Sequence, residues 1–287
     1  MHLLDELKGL ICRYAVGYGH EHGRQVLPGV RISRRDAQTE PEAGVTEPSV
    51  AIVASGLKRT LLNGVPYEYG AGQYLVAALD LPVIGQAAKA TRDEPFTVVS
   101  LQLDPAEIAP LLLELPAAPA RYGGLVVSDA DDELLDPVVR LLRIADRPDD
   151  VRVLAAGIRR EILWRLLTGE QGSLVRQIGL ADGMLAHIAE AIRWIRRNPG
   201  QQLRVADLAE LAGMSPSTFH RHFRAATSMT PIQFQKQLRL QEARIRLKTR
   251  SASAAAIAHE VGYASPSQFT HDYRKAFAKT PGADRTP

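Results

Sequence analysis

The pattern of apolar and polar positions divides the chain into a strand-rich first part and a helical remainder. Residues 24–103 contain short runs rich in β-branched and aromatic residues, separated by Gly, Pro, Asn and Asp. The pair Asn63-Gly64 lies between two such runs and predicts a type I′ hairpin. Five to eight short strands at this spacing predict a small β-sandwich or β-barrel.

Helical periodicity begins after residue 103. Asp104 and Pro105 predict an N-cap and a first helical position, and Asp136-Pro137 predicts the start of a second helix. A third helix is predicted over residues 150–168, with one apolar stripe formed by Leu154, Ile158, Ile162 and Leu166. These helices are predicted either to cap the β-domain core or to form a dimer interface. Residues 171–183 contain three Gly and predict a hinge.

The last third of the chain contains the same unit twice. Residues 208–231 read LAELAGMSPSTFHRHFRAATSMTP, and residues 257–281 read IAHEVGYASPSQFTHDYRKAFAKTP. Each copy predicts a helix, a turn containing Gly, and a second helix that starts at a Ser-Pro pair. The predicted units span residues 205–227 and 254–277, and they are typical of the helix-turn-helix, whose second helix enters the major groove of DNA.

The second helix of each unit has an apolar stripe, which leaves its polar side chains facing outward. We expect base contacts from one set of these side chains: Ser217, His220, Arg221, Ser267, Gln268 and His271. We expect phosphate contacts from another set: Thr218, Arg224, Thr270, Arg274 and Lys275. Asp272 is predicted to be repelled by the phosphates, so the first reading helix should supply most of the base specificity.

A helix predicted over residues 231–248 joins the two units and would span roughly 27 Å. Its apolar residues fall on two nearly opposite faces. One face carries Phe234, Leu238 and Ile245, and the other carries Leu240, Ala243 and Leu247. A helix with two apolar faces is explained if one helix-turn-helix unit packs against each face.

The charge of the chain is divided between its two parts. Residues 184–287 carry 16 Lys/Arg and 7 Asp/Glu, whereas residues 1–183 carry 19 and 25, within an overall net charge of +3. A basic C-terminal part is the electrostatic pattern expected of nucleic-acid binding.

Residues 184–287 resemble the DNA-binding domain of AraC-family transcriptional regulators, in which a helix joins tandem helix-turn-helix units. Residues 24–103 resemble the N-terminal effector domain of one subgroup of that family. The resemblance lies in the sequence segments GLKR, YEYGAGQYLV and LDLPVIGQ. The resemblance implies an α+β protein of two domains. A cupin-like β-barrel with appended helices at residues 1–178 would sense an effector and support dimerisation, and residues 179–287 would bind DNA.

The implied function is that of a sequence-specific transcription regulator controlled by a small molecule. Its expected partners are double-stranded promoter DNA, an unidentified effector, RNA polymerase and a second copy of the chain. Candidate pocket residues on the predicted strands are Tyr67, Tyr69, Tyr74 and Gln86. The alternative for the tyrosines is that they pack with their hydroxyls at the rim of the barrel.

Two alternative functions remain open to a chain of this pattern: a DNA-tethered cupin-type enzyme, and an architectural DNA binder without a sensing role. A cupin enzyme needs several inward-facing His and a carboxylate, but no His lies between Gly23 and His187. His20 and His22 precede the first strand, and two ligands alone do not complete a metal site. We therefore expect no enzyme activity, no metal and no cofactor.

The single cysteine, Cys12, excludes an intramolecular disulfide and is predicted to be a small buried apolar residue. The sequence has no apolar run of about 18 residues. Its N-terminus has acidic residues where a secretory signal would be basic. These features predict a cytoplasmic protein.

Overall fold

The structure is a computed structural model that describes residues 3–15, 23–116, 123–180, 183–249 and 252–285. The chain forms two compact units, Met1–Glu42 with Thr46–Ala186, and Ala43–Val45 with His187–Pro287. A sheet-rich N-terminal part is followed by helices, which confirms the predicted α+β class.

Within the described ranges the N-terminal part contains ten strands, more than the five to eight predicted. They are β1 Arg24–Leu27, β2 Val30–Arg35, β3 Glu42–Val45, β4 Ser49–Ser55, β5 Leu57–Leu62, β6 Val65–Gly70, β7 Gln73–Ala77, β8 Pro82–Lys89, β9 Phe96–Gln102 and β10 Leu125–Asp129. They form a six-stranded sheet in the order β1-β2-β9-β4-β7-β10 and a four-stranded sheet in the order β3-β8-β5-β6. The β-domain is therefore built of two sheets.

Local chemistry accounts for the hairpin that joins β5 to β6. Asn63 and Gly64 have φ angles of 50° and 80°, as a type I′ turn requires. The prediction from the Asn-Gly pair is thus confirmed. Three strands were missed. β1 and β3 each have four residues and include charged side chains, so neither shows an apolar run, and β10 lies after residue 103, where only helices were predicted.

The six-stranded sheet has helix α1 (Leu3–Ala15) on one face and the four-stranded sheet on the other. Arg34 of β2 interacts with Cys12 of α1, whereas the adjacent Arg35 acts electrostatically on Lys58 of β5. Successive side chains of a strand point to opposite faces, so Arg34 lies on the side of α1 and Arg35 on the side of the four-stranded sheet. Cys12 is partly exposed rather than buried, which corrects the prediction for this residue.

The N-terminal part has four further helices in the described ranges. The helix α2 Pro105–Leu112 lies between β9 and β10, and α3 Asp132–Arg143, α4 Pro148–Thr168 and α5 Gly172–Gly179 follow β10. Asp104 caps α2 as predicted, since its Oδ1 accepts from the amide of Ala106 at 2.8 Å. The helix α3 begins a turn earlier than predicted because Asp131 caps it, and Pro137 lies inside the helix.

Two predictions in this helical region were wrong. Leu154 of α4 is 47% exposed, although the rest of its predicted stripe is buried. Most of the predicted hinge is the helix α5, in which Leu174 and Val175 are 2% and 0% exposed. A Cβ at Gly179 would lie 2.4 Å from Cγ2 of Ile108 on α2. The glycine at position 179 therefore allows α5 to pack closely on α2, rather than providing flexibility.

The C-terminal part contains α6 Met184–Arg197, α7 Val205–Leu211, α8 Pro216–Thr227, α9 Pro231–Thr249, α10 Ala254–Glu260 and α11 Pro266–Phe277. Two aromatic cores flank the linker helix α9. In the first, the ring of Phe223 lies 5.4 Å from that of Phe219 and 5.5 Å from that of Phe234. In the second, Phe269 and Tyr273 pack with Leu240, Ala243 and Leu247 of α9.

The two-faced packing of α9 is thus as predicted, except at Ile245. This residue is 53% exposed, although it was assigned to the face of Phe234 and Leu238. None of the helices in the described ranges is long and apolar enough to cross a membrane.

Candidate nucleic-acid interface

The two reading helices, α8 and α11, begin and end in the same way. Ser215 and Ser265 accept hydrogen bonds through Oγ from the amides of Thr218 and Gln268, and a proline follows each serine. Each helix has 12 residues and ends at a residue in the left-handed conformation, Ser228 or Ala278. The repeated sequence therefore produces two helices with matching ends.

Burial of one face determines which side chains of each reading helix point outward. Phe219, Phe223 and Tyr273 are 0% exposed, and Phe269 is 1% exposed. Because these rings anchor one side of each helix, the polar residues between them lie on the opposite side. Ten of the predicted contact residues are exposed: Ser217, His220, Arg221, Arg224, Ser267, Gln268, Thr270, His271, Arg274 and Lys275.

The two threonines among the predicted phosphate contacts are engaged locally. Thr218 is partly buried, and its Oγ1 accepts a hydrogen bond from Ser215 Oγ at 3.0 Å. Thr270 Oγ1 donates to the carbonyl oxygen of Pro266 at 2.9 Å. Both hydroxyls are therefore already hydrogen-bonded within the first turn of their own helix.

The cations of the reading helices differ from those of the linker helix. Arg221, Arg224, Arg274 and Lys275 form no ion pair within the described part of the chain. On α9, by contrast, three cationic side chains are engaged within the protein: Lys236 with Asp272, Arg244 with Asp284, and Arg246 with Glu242 and Glu260. Positive charge without a protein partner thus lies on the two helices predicted to meet phosphates.

Asp272 is not on the outward face, so the predicted repulsion from phosphate was wrong. It is 5% exposed, and its Oδ1 lies 2.6 Å from Nζ of Lys236 on α9. The hydroxyl of Tyr263 donates to its Oδ2 at 3.4 Å, and burial together with this carboxylate raises the pKa of Tyr263. Asp272 lies three residues after the buried Phe269, and that helical spacing already indicates the inward face.

A side chain that the sequence did not single out connects the loop before α7 to the second helix-turn-helix unit. The guanidinium of Arg239 on α9 donates to the carbonyl oxygens of Pro199, Gln201 and Gly262 at 2.6, 3.0 and 2.9 Å. The first two belong to the loop before α7, and the third to the turn between α10 and α11. Arg239 therefore links the loop that leads into the first unit to the turn of the second unit.

The backbone of the same loop also approaches the turn of the second helix-turn-helix unit directly. Gly262 has a φ of 90°, and a Cβ on it would lie 2.9 Å from the oxygen and 3.0 Å from the Cα of Gly200. Only glycine fits such an approach without displacing the neighbouring chain. The loop before α7 is therefore held against the second unit by backbone contact as well as by Arg239.

The predicted effector residues do not share one face. Tyr67 and Tyr69 lie on the same face of β6, where Tyr69 is 3% exposed and hydrogen-bonds Thr60, and burial raises its pKa to about 12. Gln86 pairs with Arg59, whose guanidinium bonds Glu68 on the exposed face of the sheet. The structure therefore places Gln86 on the opposite face from the two tyrosines.

Tyr74 lies in the other sheet, opposite Ile52 of β4 and Ser128 of β10. Ile52 pairs with Val99, which pairs with Ile32. These residues share the face that carries helix α1, so Tyr74 does not line the space between the sheets. Its hydroxyl hydrogen-bonds Ser128, and burial raises its pKa.

No group of three or more His, Cys, Asp or Glu side chains that could hold a metal ion occurs among the described residues. The histidines considered as metal ligands, His20 and His22, lie outside those residues.

Comparison with known proteins identifies relatives of both parts of the chain. Residues 26–174 match the family model for the AraC-type transcriptional regulator N-terminus, and residues 208–286 match a helix-turn-helix domain. An AraC-like transcription regulator from Streptomyces lividans is 34% identical over 104 residues, which are 36% of this chain and 33% of that protein. The transcriptional activator RhaS from Pectobacterium carotovorum is 34% identical over 88 residues, 31% of this chain and 32% of RhaS.

These matches span about a third of the length of either relative. Among solved structures, ToxT from Vibrio cholerae with a bound unsaturated fatty acid has a similar fold, with a TM-score of 0.52 and 11% identity. The similarity covers 91% of this chain and 95% of ToxT. Since the N-terminal family model covers half of the chain and a helix-turn-helix match follows it, the chain belongs to the AraC family of transcriptional regulators.

Proposed function

We propose that this protein binds double-stranded promoter DNA with α8 and α11 together, so that one chain contacts two major-groove segments. The observation that carries the proposal is that α8 and α11 both direct outward cations that form no ion pair among the described residues, while Arg239 holds the loop before the first unit against the second unit. The 19-residue linker helix α9 is about 28 Å long at 1.5 Å per residue. This length suits two major-groove segments about one helical turn, near 34 Å, apart.

The outward residues of the two helices differ in what they can contact. Arg221 lies in the N-terminal half of α8, from which its guanidinium can fork onto guanine O6 and N7. Arg224, one turn later, and the pair Arg274 and Lys275 on α11 are placed for phosphates. We propose that Ser217, His220 and Arg221 read one segment, and that Ser267, Gln268 and His271 read the other.

An insertion of base pairs into the DNA site tests whether α8 and α11 bind two segments at the same time. Footprinting of the full chain on a selected site should show two protected segments on one face of the duplex. Inserting five base pairs between them turns one segment to the opposite face. Affinity should then fall to that for a single segment, whereas a ten-base-pair insertion restores the face and so controls for the orientation. Unchanged affinity after the five-pair insertion would show that the two helices do not read DNA together.

For the N-terminal unit we propose a sensing role without catalysis, in which a small molecule alters DNA binding by the C-terminal part. The support is that Tyr67, Tyr69 and Thr60 place polar groups on the face of the four-stranded sheet that looks toward the other sheet. If the N-terminal unit were an enzyme, the purified protein would convert the compound that it binds. Chemical analysis of that compound after incubation with the protein measures this, and we expect it to be recovered unchanged.

We further propose that a second copy of the chain packs on the exposed apolar surface of α2 and α4. Leu113, Val153 and Leu154 are 88%, 71% and 47% exposed. A neighbouring groove of about 420 Å³ is lined by Leu111, Glu114, Gly157, Arg160, Glu161 and Trp164. Because the groove contains charges of both signs, a two-fold arrangement can pair Arg160 of one copy with an acidic residue of the other.

Light scattering during gel filtration tests this dimer. The wild type should have twice the mass of the 31.4 kDa chain, and Leu154→Glu should shift it to the monomer because a charge then lies in the apolar contact. Leu180→Glu, at another exposed leucine (41%), is the control and should leave the mass unchanged. A wild-type monomer at micromolar concentration would contradict the proposed dimer.

A further inference from the structure

Lys58 places a positive charge on the inward face of the four-stranded sheet. On β5 it lies opposite Tyr69 of β6 and Ala87 of β8, which are 3% and 5% exposed. Thr60, two residues along the same strand, is 4% exposed. Opposed residues of an antiparallel pair share a face, so Lys58, Thr60, Tyr69 and Ala87 all point toward the six-stranded sheet.

The lysine side chain runs along the inside of the sheet. A Cβ at Gly85 would lie 3.5 Å from Cε and 4.0 Å from Nζ of Lys58. Gly85 is opposite Thr60, so the side chain of Lys58 extends along the inner face of the sheet toward Thr60 and Tyr67. Lys58 nevertheless keeps partial exposure between neighbours that are almost fully buried. Solvent reaches part of this residue, whereas its ammonium is buried.

The ammonium of Lys58 has no hydrogen bond and no ion pair in the part of the chain that the structure describes. The charges that act on it are Arg35, which faces it from β2, and Glu42 of β3 at the sheet edge. Burial lowers the pKa of Lys58, Arg35 lowers it further, and Glu42 opposes the shift. A cation in this position lacks the close counter-charge that normally accompanies a buried lysine.

We propose that the inward face around Lys58 is the effector site, and that it takes a small monocarboxylate with an apolar body. The carboxylate would pair with the ammonium and accept from the hydroxyls of Thr60 or Tyr67. The proposal rests on the sensing role proposed for the N-terminal unit, and it adds the chemical class of the ligand.

The surroundings of Lys58 favour one charge and an apolar remainder. Leu62 and Val83 continue the same face and are 1% and 9% exposed. Arg35, the second cation, already donates to Ser33 Oγ and to the carbonyl oxygen of Arg34, each at 3.0 Å. One ammonium is thus available to an anion, and apolar and aromatic side chains lie beyond it. Ligand sites of this composition bind the body of a molecule by burial and orient it through a few polar groups.

Thermal unfolding of the full-length protein tests the proposal with matched pairs of compounds. The pairs are octanoate with octanamide and phenylpropionate with phenylpropionamide, which differ in charge and hardly in shape. At least one acid should raise the melting temperature of the wild type while its amide does not. In Lys58→Met the dissociation constant of that acid should rise by about thirtyfold or more, as expected when one partner of a buried charge pair is lost.

The neighbouring Arg59 supplies the control. It lies on the outer face of β5, where it pairs with Glu68, so Arg59→Met should bind the acid as the wild type does. The proposal is overturned if no acid stabilises the wild type beyond its amide, or if Lys58→Met binds the acid unchanged. The wild-type comparison holds even if Lys58→Met fails to fold. The readout contains no DNA, so a failure of the DNA-reading proposal is seen separately by footprinting.

Discussion

The guanidinium of Arg239 donates a hydrogen bond of 2.9 Å to the carbonyl oxygen of Gly262. This contact joins the middle of the linker helix to the turn of the second helix-turn-helix unit, while the same guanidinium holds the loop before the first unit. A side chain with one planar fork and several donors can satisfy three carbonyls at once. One side chain of α9 therefore holds both the loop before the first unit and the turn of the second unit.

Gly262→Ala should disturb this junction more than the equivalent change in the first copy. Gly262 and Gly213 both have positive φ angles, 90° and 62°. Alanine in this conformation costs about 1–2 kcal/mol at either site. At Gly262 the new Cβ would also lie 2.9 Å from the Gly200 oxygen, whereas nothing lies within 4 Å at Gly213. Chemical denaturation should show a larger loss for Gly262→Ala, and equal losses would contradict the close approach.

Arg239→Lys should weaken the junction although the charge is retained. A lysine ammonium cannot reach three separate carbonyls in the geometry of a guanidinium. We expect a loss of about 2–3 kcal/mol in the free energy of unfolding, because hydrogen bonds to a charged group are removed. Binding to a two-segment site should weaken more than binding to one segment, as fluorescence anisotropy with both DNA lengths can measure. Equal weakening on both lengths would mean that Arg239 does not set the separation of the units.

Arg221→Ala and Arg224→Ala should differ in their effect on specificity. Arg221→Ala should cost about 1–3 kcal/mol on the preferred site and relax preference at one or two base pairs. Arg224→Ala should weaken all sequences alike and reduce the dependence of affinity on salt, because a phosphate contact is lost. Binding-site selection with each variant measures the difference. The reverse pattern would overturn the proposed orientation of α8.

Asp272→Asn should destabilise the protein without tightening its binding to DNA. The carboxylate is buried against Lys236 and Tyr263, so loss of its charge should cost about 1–3 kcal/mol of stability. Thermal unfolding and anisotropy titrations of the same preparation give both quantities. If the variant were as stable as the wild type and bound DNA more tightly, Asp272 would have to face the phosphates after all.

Stability of the C-terminal part should fall in acid partly because of Asp284. Burial raises the pKa of this carboxyl, but hydrogen bonds from Tyr273 and Arg244 outweigh it and hold the folded-state pKa below the ordinary value of 3.8. A group with a lowered folded pKa contributes stability above its unfolded pKa. That contribution is lost as the pH falls below about 4 toward the folded pKa.

The variant Asp284→Asn tests this assignment. It should be less stable than the wild type at pH 7, and the difference should narrow as the pH is lowered through the range from about 5 to 3. Urea denaturation at several pH values gives the two curves. A difference that stays constant over this range would show that ionisation of Asp284 does not contribute.

Local sequence determined the reading helices, because their ends and faces depend on nearby residues. The Ser-Pro pairs at 215 and 265 begin both helices, and the rings at 219, 223, 269 and 273 turn one side inward. The same holds for the Asn63-Gly64 hairpin, whose backbone angles follow from two residues. Caps, turns and helical periodicity act over a few residues, so they can be predicted without the tertiary structure.

Tertiary packing alone decided which charged residues are partners inside the protein. Asp272 was assigned to the DNA-facing side, but it forms an ion pair inside the domain with Lys236, which lies 36 residues earlier in the chain. Arg239 was not singled out, because its three carbonyl partners lie 23 to 40 residues away. In the same way, β5 alone does not show that Arg35 of the facing sheet lies near Lys58. Such pairings depend on the distances between elements, which the periodicity of a single element does not contain.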